Sequence, residues 1–394
     1  MIKNKIQDLA ASIFNEVVAY RQHLHAHPEL SFKEFETSKF VKSKLSTWGI
    51  EYTSCANTGV VGLIKGDLPS DQVIALRGDM DALPILEDSN KPYASKNPGV
   101  MHACGHDVHT SSLLGTAYIL NQLKAEFGGT IKLIFQPAEE LLPGGASIMI
   151  KEGVLENPKP DYIVGQHVMP LIESGKVGFR SGIYMASTDE LYVTVTGKGG
   201  HGAQPHQNVD PVVIASHIII ALQQIVSRQA DPRLPTVLSF GKVTANGATN
   251  IIPNEVKIEG TFRTLNEEWR AEAHQRMIKM AEGMAESMGA SCNFDIHKGY
   301  PFLINEEKLT ANARLFAEEF LGKENVVDLD IWMAAEDFSF YSQVTDACFY
   351  RLGTGNAAKD TQYSVHTPKF DIDEDALKVS TGLMAYIALK QLGN

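Results

Sequence analysis

Apolar residues recur at Ile6, Leu9, Ile13 and Val17, with polar and charged positions between them. That spacing predicts an amphipathic helix across MIKNKIQDLAASIFNEVVAYRQHL. A turn at Pro28 leads into a second helix. VVGLIKG and QVIALRGDMDAL then set short apolar runs beside glycines, as strands do. MHACGHDVH follows, and its tail opens a helix, VHTSSLLGTAYILNQL. TIKLIFQPAEE reads as a strand ending at Pro137, GGASIMIKEGVL as a helix and DYIVGQHV as another strand. Strand and helix in alternation predict an α/β sheet with covered faces.

The pattern changes near Thr188. DELYVTVTG alternates like a half-buried strand, and DPVVIASHIIIALQQIVSRQ is helical, with Asp210 as cap and Pro211 in the first turn. TVLSFGKVTA and NEVKIEGTFRT are strands, EEWRAEAHQRMIKMAEGMAESMG is a long helix, and SCNFDIHKG closes the group. The order βαββαβ is that of a ferredoxin-like domain, expected over 186–299 and inserted into a first domain of 1–185 and 300–394. A chain of 394 residues exceeds what one core usually holds, which agrees with two domains.

Composition narrows the function classes. A formal charge of -12, with no Lys/Arg cluster, argues against nucleic-acid binding. No run of about 18 apolar residues predicts a membrane span, and the amphipathic N-terminus does not read as a secretory signal. A cytoplasmic location is expected. The four cysteines, Cys55, Cys104, Cys292 and Cys348, are far apart and form no CxxC pair, so neither a disulfide framework nor a structural zinc site is expected.

Cys104 stands apart because of its neighbours. MHACGHDVH packs three of the 13 histidines and one of the four cysteines into nine residues. Gly105 lets the chain turn so that Cys104 and His106 face one point, and thiolate with imidazole suits a metal such as zinc. In open α/β sheets, ligands bind beyond the carboxyl ends of the strands. Asp79 and Asp81 follow VIAL, Glu139 and Glu140 follow IKLIF, and His167 follows YIV, so three strand ends aim at one crevice. With His366 in the loop YSVHTPKF, the residues Cys104, His106, Glu140, His167 and His366 offer five ligands, enough for two metals sharing one of them. Of the adjacent carboxylates one can bind metal and the other act as general base, provided the loop is bent. The competing chemistry is a Cys104 nucleophile with His106 as base, which leaves Glu139, Glu140, His167 and His366 without roles. In GKGGHGAQPH, His201 sits among glycines where it can donate to a developing oxyanion. Asn250 and Arg263 are further polar groups of the inserted domain suited to a substrate carboxylate.

The motifs HLHAHPELSFKEFET, LRGDMDALP, MHACGHDVH, FQPAEE, GQHV, TVTGKGGHGAQPH, GATNIIPNE, GTFRT, AAEDFSF and VHTPKF run in this order along nearly the whole chain. In them the chain resembles the M20 metallopeptidases, within the branch of N-acyl-amino-acid amidohydrolases, hippurate hydrolases and auxin-conjugate hydrolases. The resemblance implies a zinc-peptidase-like catalytic domain with a mixed sheet covered by helices. It implies two divalent ions (zinc, manganese, nickel or cobalt) on Cys104, His106, Glu140, His167 and His366, with Cys104 shared. It implies Glu139 as general base, Asp81 as the carboxylate orienting His106, and His201 as a lid histidine acting in its own or the partner subunit's site. Asn250 and Arg263 take substrate-binding or dimer roles in the same comparison. A homodimer or higher homo-oligomer through the inserted domain is the implied assembly. The His-x-Asp ligand motif of many M20 peptidases is here Asp79-Met80-Asp81, which points to the amidohydrolase branch. The expected reaction is amide hydrolysis of a small N-acyl amino acid of N-acetyl or benzoyl type. The alternatives are a dipeptidase or carboxypeptidase using the same site, and a non-catalytic metal-containing binding protein.

Overall fold

A computed structural model describes residues 2–393. The chain forms two compact units: Met1–Tyr184 with Ile304–Asp330 and Asp337–Asn394, and Met185–Leu303 with Ile331–Glu336.

The first unit is built on an eight-stranded mixed sheet. Its first six strands are β1 (Glu51–Cys55), β2 (Gly59–Lys65), β3 (Leu68–Asp79), β4 (Gly128–Gln136), β5 (Tyr162–Glu173) and β6 (Val177–Phe179). With the strands Val326–Asp328 and Asp346–Gly355, the order is β1-β2-β4-β3-β5-(346–355)-β6-(326–328). β3 runs parallel to both β4 and β5, and β5 is parallel to 346–355. β1 and β2 add an antiparallel margin. β4 and the 346–355 strand are buried along almost their whole length, as strands covered on both faces are.

The helices α1 (Ile2–Ala26), α2 (Phe35–Thr47), α3 (His106–Gln122) and α4 (Gly145–Lys151) cover this sheet, together with Glu307–Leu321 and Ala376–Gln391. α3 packs between the sheet, α1 and the 376–391 helix, and is buried on nearly every face. A Cβ on its Gly115 would stand 2.5 Å from Thr381 Cγ2 and 2.8 Å from Val17 Cγ2, so glycine is what lets the three helices meet.

Three details depart from the sequence reading. α3 begins at His106, so that histidine sits in a helical first turn and not in the loop before it. β5 runs on to Glu173, so His167 lies inside a strand, opposite Arg351 of the 346–355 strand, and not at its end. β1, β6 and the short strand Gly182–Met185 were not expected from sequence. β1 is exposed at four of its five residues and carries no apolar alternation to betray it.

The second unit holds a four-stranded antiparallel sheet in the order 236–244, 255–264, 189–196, 291–298. Helices Pro211–Gln224 and Glu267–Ser287 lie against it. Asp210 caps the first by accepting from Val212 N and Val213 N, as its sequence position predicts, and Asn266 caps the second through Trp269 N. Leu191, Val193 and Val195 pack with Ile214, Ile218 and Leu222 and with Ala273, Met277 and Ala281. The segment Pro211–Gln229 is long and apolar enough to cross a membrane by length and composition, with a mean hydropathy of 1.4. Its Ile214, Ala215, Ile218, Leu222 and Ile225 are nonetheless buried within this unit at helical spacing, the pattern of a core helix.

Where the chain enters and leaves this sheet, Arg270 is fully buried against Asp189. It donates to both carboxylate oxygens and to the carbonyls of Thr188 and Gly299, while His274 Nε2 lies 2.7 Å from Asp189 Oδ2. Arg270→Met leaves a buried carboxylate without its main partner, and a loss of about 3–5 kcal/mol in the stability of this unit is expected. Burial alone would raise the Asp189 carboxyl, but His274 and Arg270 outweigh it and hold it below the usual carboxylate range. The stabilisation is therefore complete above the unfolded value of about 4 and is lost as the pH falls toward the depressed folded value. Thermal unfolding of wild type and R270M from pH 6 down to pH 2.5 checks this: the gap between them closes below about pH 4. A gap that stays constant would exclude the ion pair as its source.

Candidate metal centre

The site forms where β3, β4 and β5 deliver their polar residues beside the start of α3. Asp79 ends β3 and Asp81 lies two residues beyond. Cys104 and His106 flank Gly105, which has φ 83° and caps α3. A Cβ at Gly105 would come within 2.6 Å of Val168 Cγ2, so both conformation and space require glycine at this turn. Glu139 and Glu140 follow β4 after Pro137 and Ala138, the latter at φ 51°. His366 also has a left-handed backbone, φ 63°, and its N–H donates to Ala103 O (2.8 Å).

Five donor atoms converge here. Cys104 Sγ is 3.3 Å from His167 Nε2 and 3.3 Å from His366 Nε2. His366 Nε2 is 3.2 Å from Glu140 Oε1, and His106 Nε2 is 4.0 Å from both Glu140 Oε1 and Glu139 Oε2. Two groups, Cys104/His106/His167 and Cys104/Glu140/His366, each keep their donor atoms within 4.8 Å of one another, and Cys104 belongs to both. His106, Glu139 and Glu140 form a third such group.

The donor set fits divalent metal. His106 Nε2 and Glu140 Oε1 are buried and make no hydrogen bond among the described residues, a condition that calls for an ion or an equivalent partner. The histidine rings are held from behind: His106 Nδ1 lies 3.1 Å from Asp81 Oδ1, and His167 Nδ1 donates to Val168 O (2.8 Å). Each ring thereby presents Nε2 to the site, the orientation that metal-binding histidines need. The clusters are consistent with two divalent ions per chain.

The charges agree. Without a cation, burial and then Glu140, Glu139 and Asp79 push the Cys104 thiol well above its ordinary range. Burial would lower His106, yet Asp79, Asp81 and Glu140 raise it to about 10. A bound cation reverses both preferences, favouring thiolate and neutral imidazole. A thiol nucleophile needs a depressed pKa, so this environment does not favour Cys104 in that role.

Several supporting residues escaped the sequence reading. His109 Nδ1 lies 2.6 Å from Asp79 Oδ1, and its Nε2 accepts from Val168 N (3.0 Å), the residue after His167. Arg77, fully buried, pairs with Asp79 and with Asp337, and Asp337 also receives Gln136 Nε2 and Ala146 N. Arg21 and His25 of α1 both bond Asp107 Oδ2 at 2.8 Å. The one signal in sequence was His106-x-x-His109, a helical spacing that puts both rings on one face.

The remaining expected residues lie in the second unit. His201 is exposed, its Nδ1 accepts from Ala203 N (3.0 Å), and its carbonyl accepts from Asn208 Nδ2 (3.1 Å). With Nδ1 accepting, the neutral tautomer carries its proton on Nε2. Asn250 holds the same turn through its carbonyl, which accepts from Gly202 N (2.8 Å). Arg263 is half-buried on the 255–264 strand and donates to Met333 O (3.2 Å).

Sulfur, imidazole and carboxylate donors around one point, with a carboxylate to spare beside them, equip a metal-dependent hydrolase. The chain belongs to the M20 peptidases: residues 75–390 match peptidase family M20/M25/M40. It falls within the amidohydrolase branch, as its motifs imply. It is 45% identical over 309 residues to an N-acyl-L-amino acid amidohydrolase of Geobacillus stearothermophilus, covering 78% of this chain and 83% of that one. Thermostable carboxypeptidase 2 of Saccharolobus solfataricus is 38% identical over 98% of both chains. Among solved structures, the Bacillus subtilis YXEP protein, a dinuclear metal-binding peptidase of the M20 family, superposes with a TM-score of 0.83. It is 36% identical and covers 97% of this chain and 99% of that one.

Proposed function

We propose that the protein hydrolyses the amide bond of small N-acyl amino acids, releasing a carboxylate and a free amino acid. The observation that carries this is Cys104 Sγ standing in two donor groups at once, with Glu139 beside them. The identity to the Geobacillus amidohydrolase supports the substrate class. In this reading Cys104, His106, Glu140, His167 and His366 hold the metal. Two divalent ions, when bound, would polarise the substrate carbonyl and make water acidic enough to be deprotonated near neutral pH. The chain's own residues do the rest. Glu139 takes the proton from the attacking water and returns it to the leaving nitrogen. Asp81 keeps His106 in the tautomer that exposes Nε2. His201 donates Nε2–H to the oxyanion, in its own subunit or in a homodimer partner's, and Asn250 and Arg263 contribute to binding the substrate carboxylate or to the dimer contact.

The second unit is read as a ferredoxin-like lid and dimerisation domain of about 186–299. Its order 291–298, 189–196, 255–264, 236–244, fully antiparallel, supports that label. A cytoplasmic location is supported by the four unpaired thiols, which reducing compartments preserve.

The test is metal content of the purified protein together with release of free amino acid from N-acetyl-methionine and hippurate, before and after chelation. Two metals per chain, release abolished by chelator and restored by added metal, is the expected result. Release that survives complete metal removal would return the reaction to Cys104 as nucleophile. The identity to a carboxypeptidase favours a second reading on the same site. Faster cleavage of unblocked dipeptides or peptide C-termini than of N-acetyl amino acids would select it.

A further inference from the structure

Adjacent residues on an extended chain point in opposite directions, yet Glu139 and Glu140 both face His106 within 4.0 Å. The bend that brings them together is held by three consecutive amides. Glu139 N–H donates to Asp81 Oδ1 and Glu140 N–H to Asp81 Oδ2, each at 3.0 Å. The first of the three, Ala138 N–H, donates to Glu34 Oε1 at 2.8 Å. Ala138 sits at φ 51°, a left-handed conformation that costs a residue with a Cβ about 1–2 kcal/mol and persists only where its surroundings enforce it. Its carbonyl is taken by Gly145 N (2.8 Å).

Glu34 is built for this contact. It is fully buried where α2 begins, 104 residues away in sequence. Phe32 N–H donates to the same Oε1 (2.9 Å), and the Thr58 hydroxyl donates to Oε2 (2.7 Å), so both oxygens are also held by groups outside the loop. Its side chain caps no helix amide. We propose that Glu34 is a positioning residue for the reaction: by binding the Ala138 amide it sets the bend that turns Glu139 and Glu140 into one site. The inference rests on the reading of Glu139 as base and Glu140 as metal ligand.

Two substitutions separate reach from charge. Glu34→Gln keeps a carbonyl oxygen for both amides and an NH2 for the Thr58 oxygen, and kcat within about threefold of wild type is expected, since positioned geometry is retained. Glu34→Asp keeps the charge but falls one methylene short of Ala138. A kcat about 100-fold lower is expected, with KM little changed, and with weaker metal binding in equilibrium titration because Glu140 shares the loop. Thr58→Val, a milder change that frees Oε2 alone, is expected to lower kcat several-fold and decides the matter should E34D not fold. A purely structural Glu34 would lower the unfolding temperature of E34D and leave its kcat and metal affinity at wild-type values. That result, or equal damage in E34Q and E34D, overturns the proposal. Glu139→Gln measured alongside separates the two claims. An inactive E139Q beside a fully active E34D removes the positioning role alone, whereas an active E139Q removes the base on which it rests.

Discussion

Glu139→Gln is expected to cut turnover by ~10²–10⁴-fold, the range that general acid–base catalysis supplies, while the protein keeps its full complement of metal. The two side chains have the same shape, so the backbone bonds of Glu139 and Glu140 to Asp81 survive the change. What disappears is the ability to accept a proton. Glu139 lies outside both donor groups that contain Cys104; it groups with His106 and Glu140, and separately with Glu336 and Asp337. Removing its charge should therefore leave the Cys104-centred sites intact and KM nearly constant. Metal analysis of the purified variant, with steady-state rates on an N-acetyl amino acid, checks this. Near-normal turnover would remove Glu139 as base, and the loss of one metal equivalent would make it a ligand.

The side chains that converge here were legible because their chemistry is local. Cys104 and His106 share a glycine turn, Glu139 and Glu140 are neighbours, and His167 stands in an apolar run. The βαββαβ order of strands and helices was readable for the same reason, since burial alternation is sharp along 189–196. What sequence does not carry is which distant groups hold these residues in place. Glu34 and Ala138 meet across 104 residues, and Arg77 and Asp337 across 260. Before folding, Glu34 is one acidic residue among many in a polar helix start. Nor could the bend at Ala138 be read, because nothing marks an alanine for a left-handed backbone; only the buried acceptor does. The continuation of β5 through His167 has a similar origin. It depends on pairing with the 346–355 strand, which lies about half the chain away.

Cys104 is the residue whose loss should reach furthest. It is the only donor common to the two compact groups, so Cys104→Ser is expected to weaken both metal positions together. Serine nearly conserves volume but ionises far less readily than a thiol, and a neutral hydroxyl is a poor ligand for a zinc-like ion. Affinity at each position should fall by more than the ~10–100-fold that losing a supporting contact costs. His366→Ala is the informative comparison. His366 belongs to the group with Cys104 and Glu140 but not to the group with His106 and His167, so one metal position should weaken and the other persist. Equilibrium titration of metal-stripped protein then distinguishes three patterns. Two tight ions in wild type, one in H366A and none in C104S is the expected result, with hydrolysis lost in step. Two tight ions in C104S would mean that the sulfur lies beside the metals without joining them. A single tight ion surviving in C104S would assign Cys104 to one position only, and the shared-ligand arrangement would give way to two separate sites.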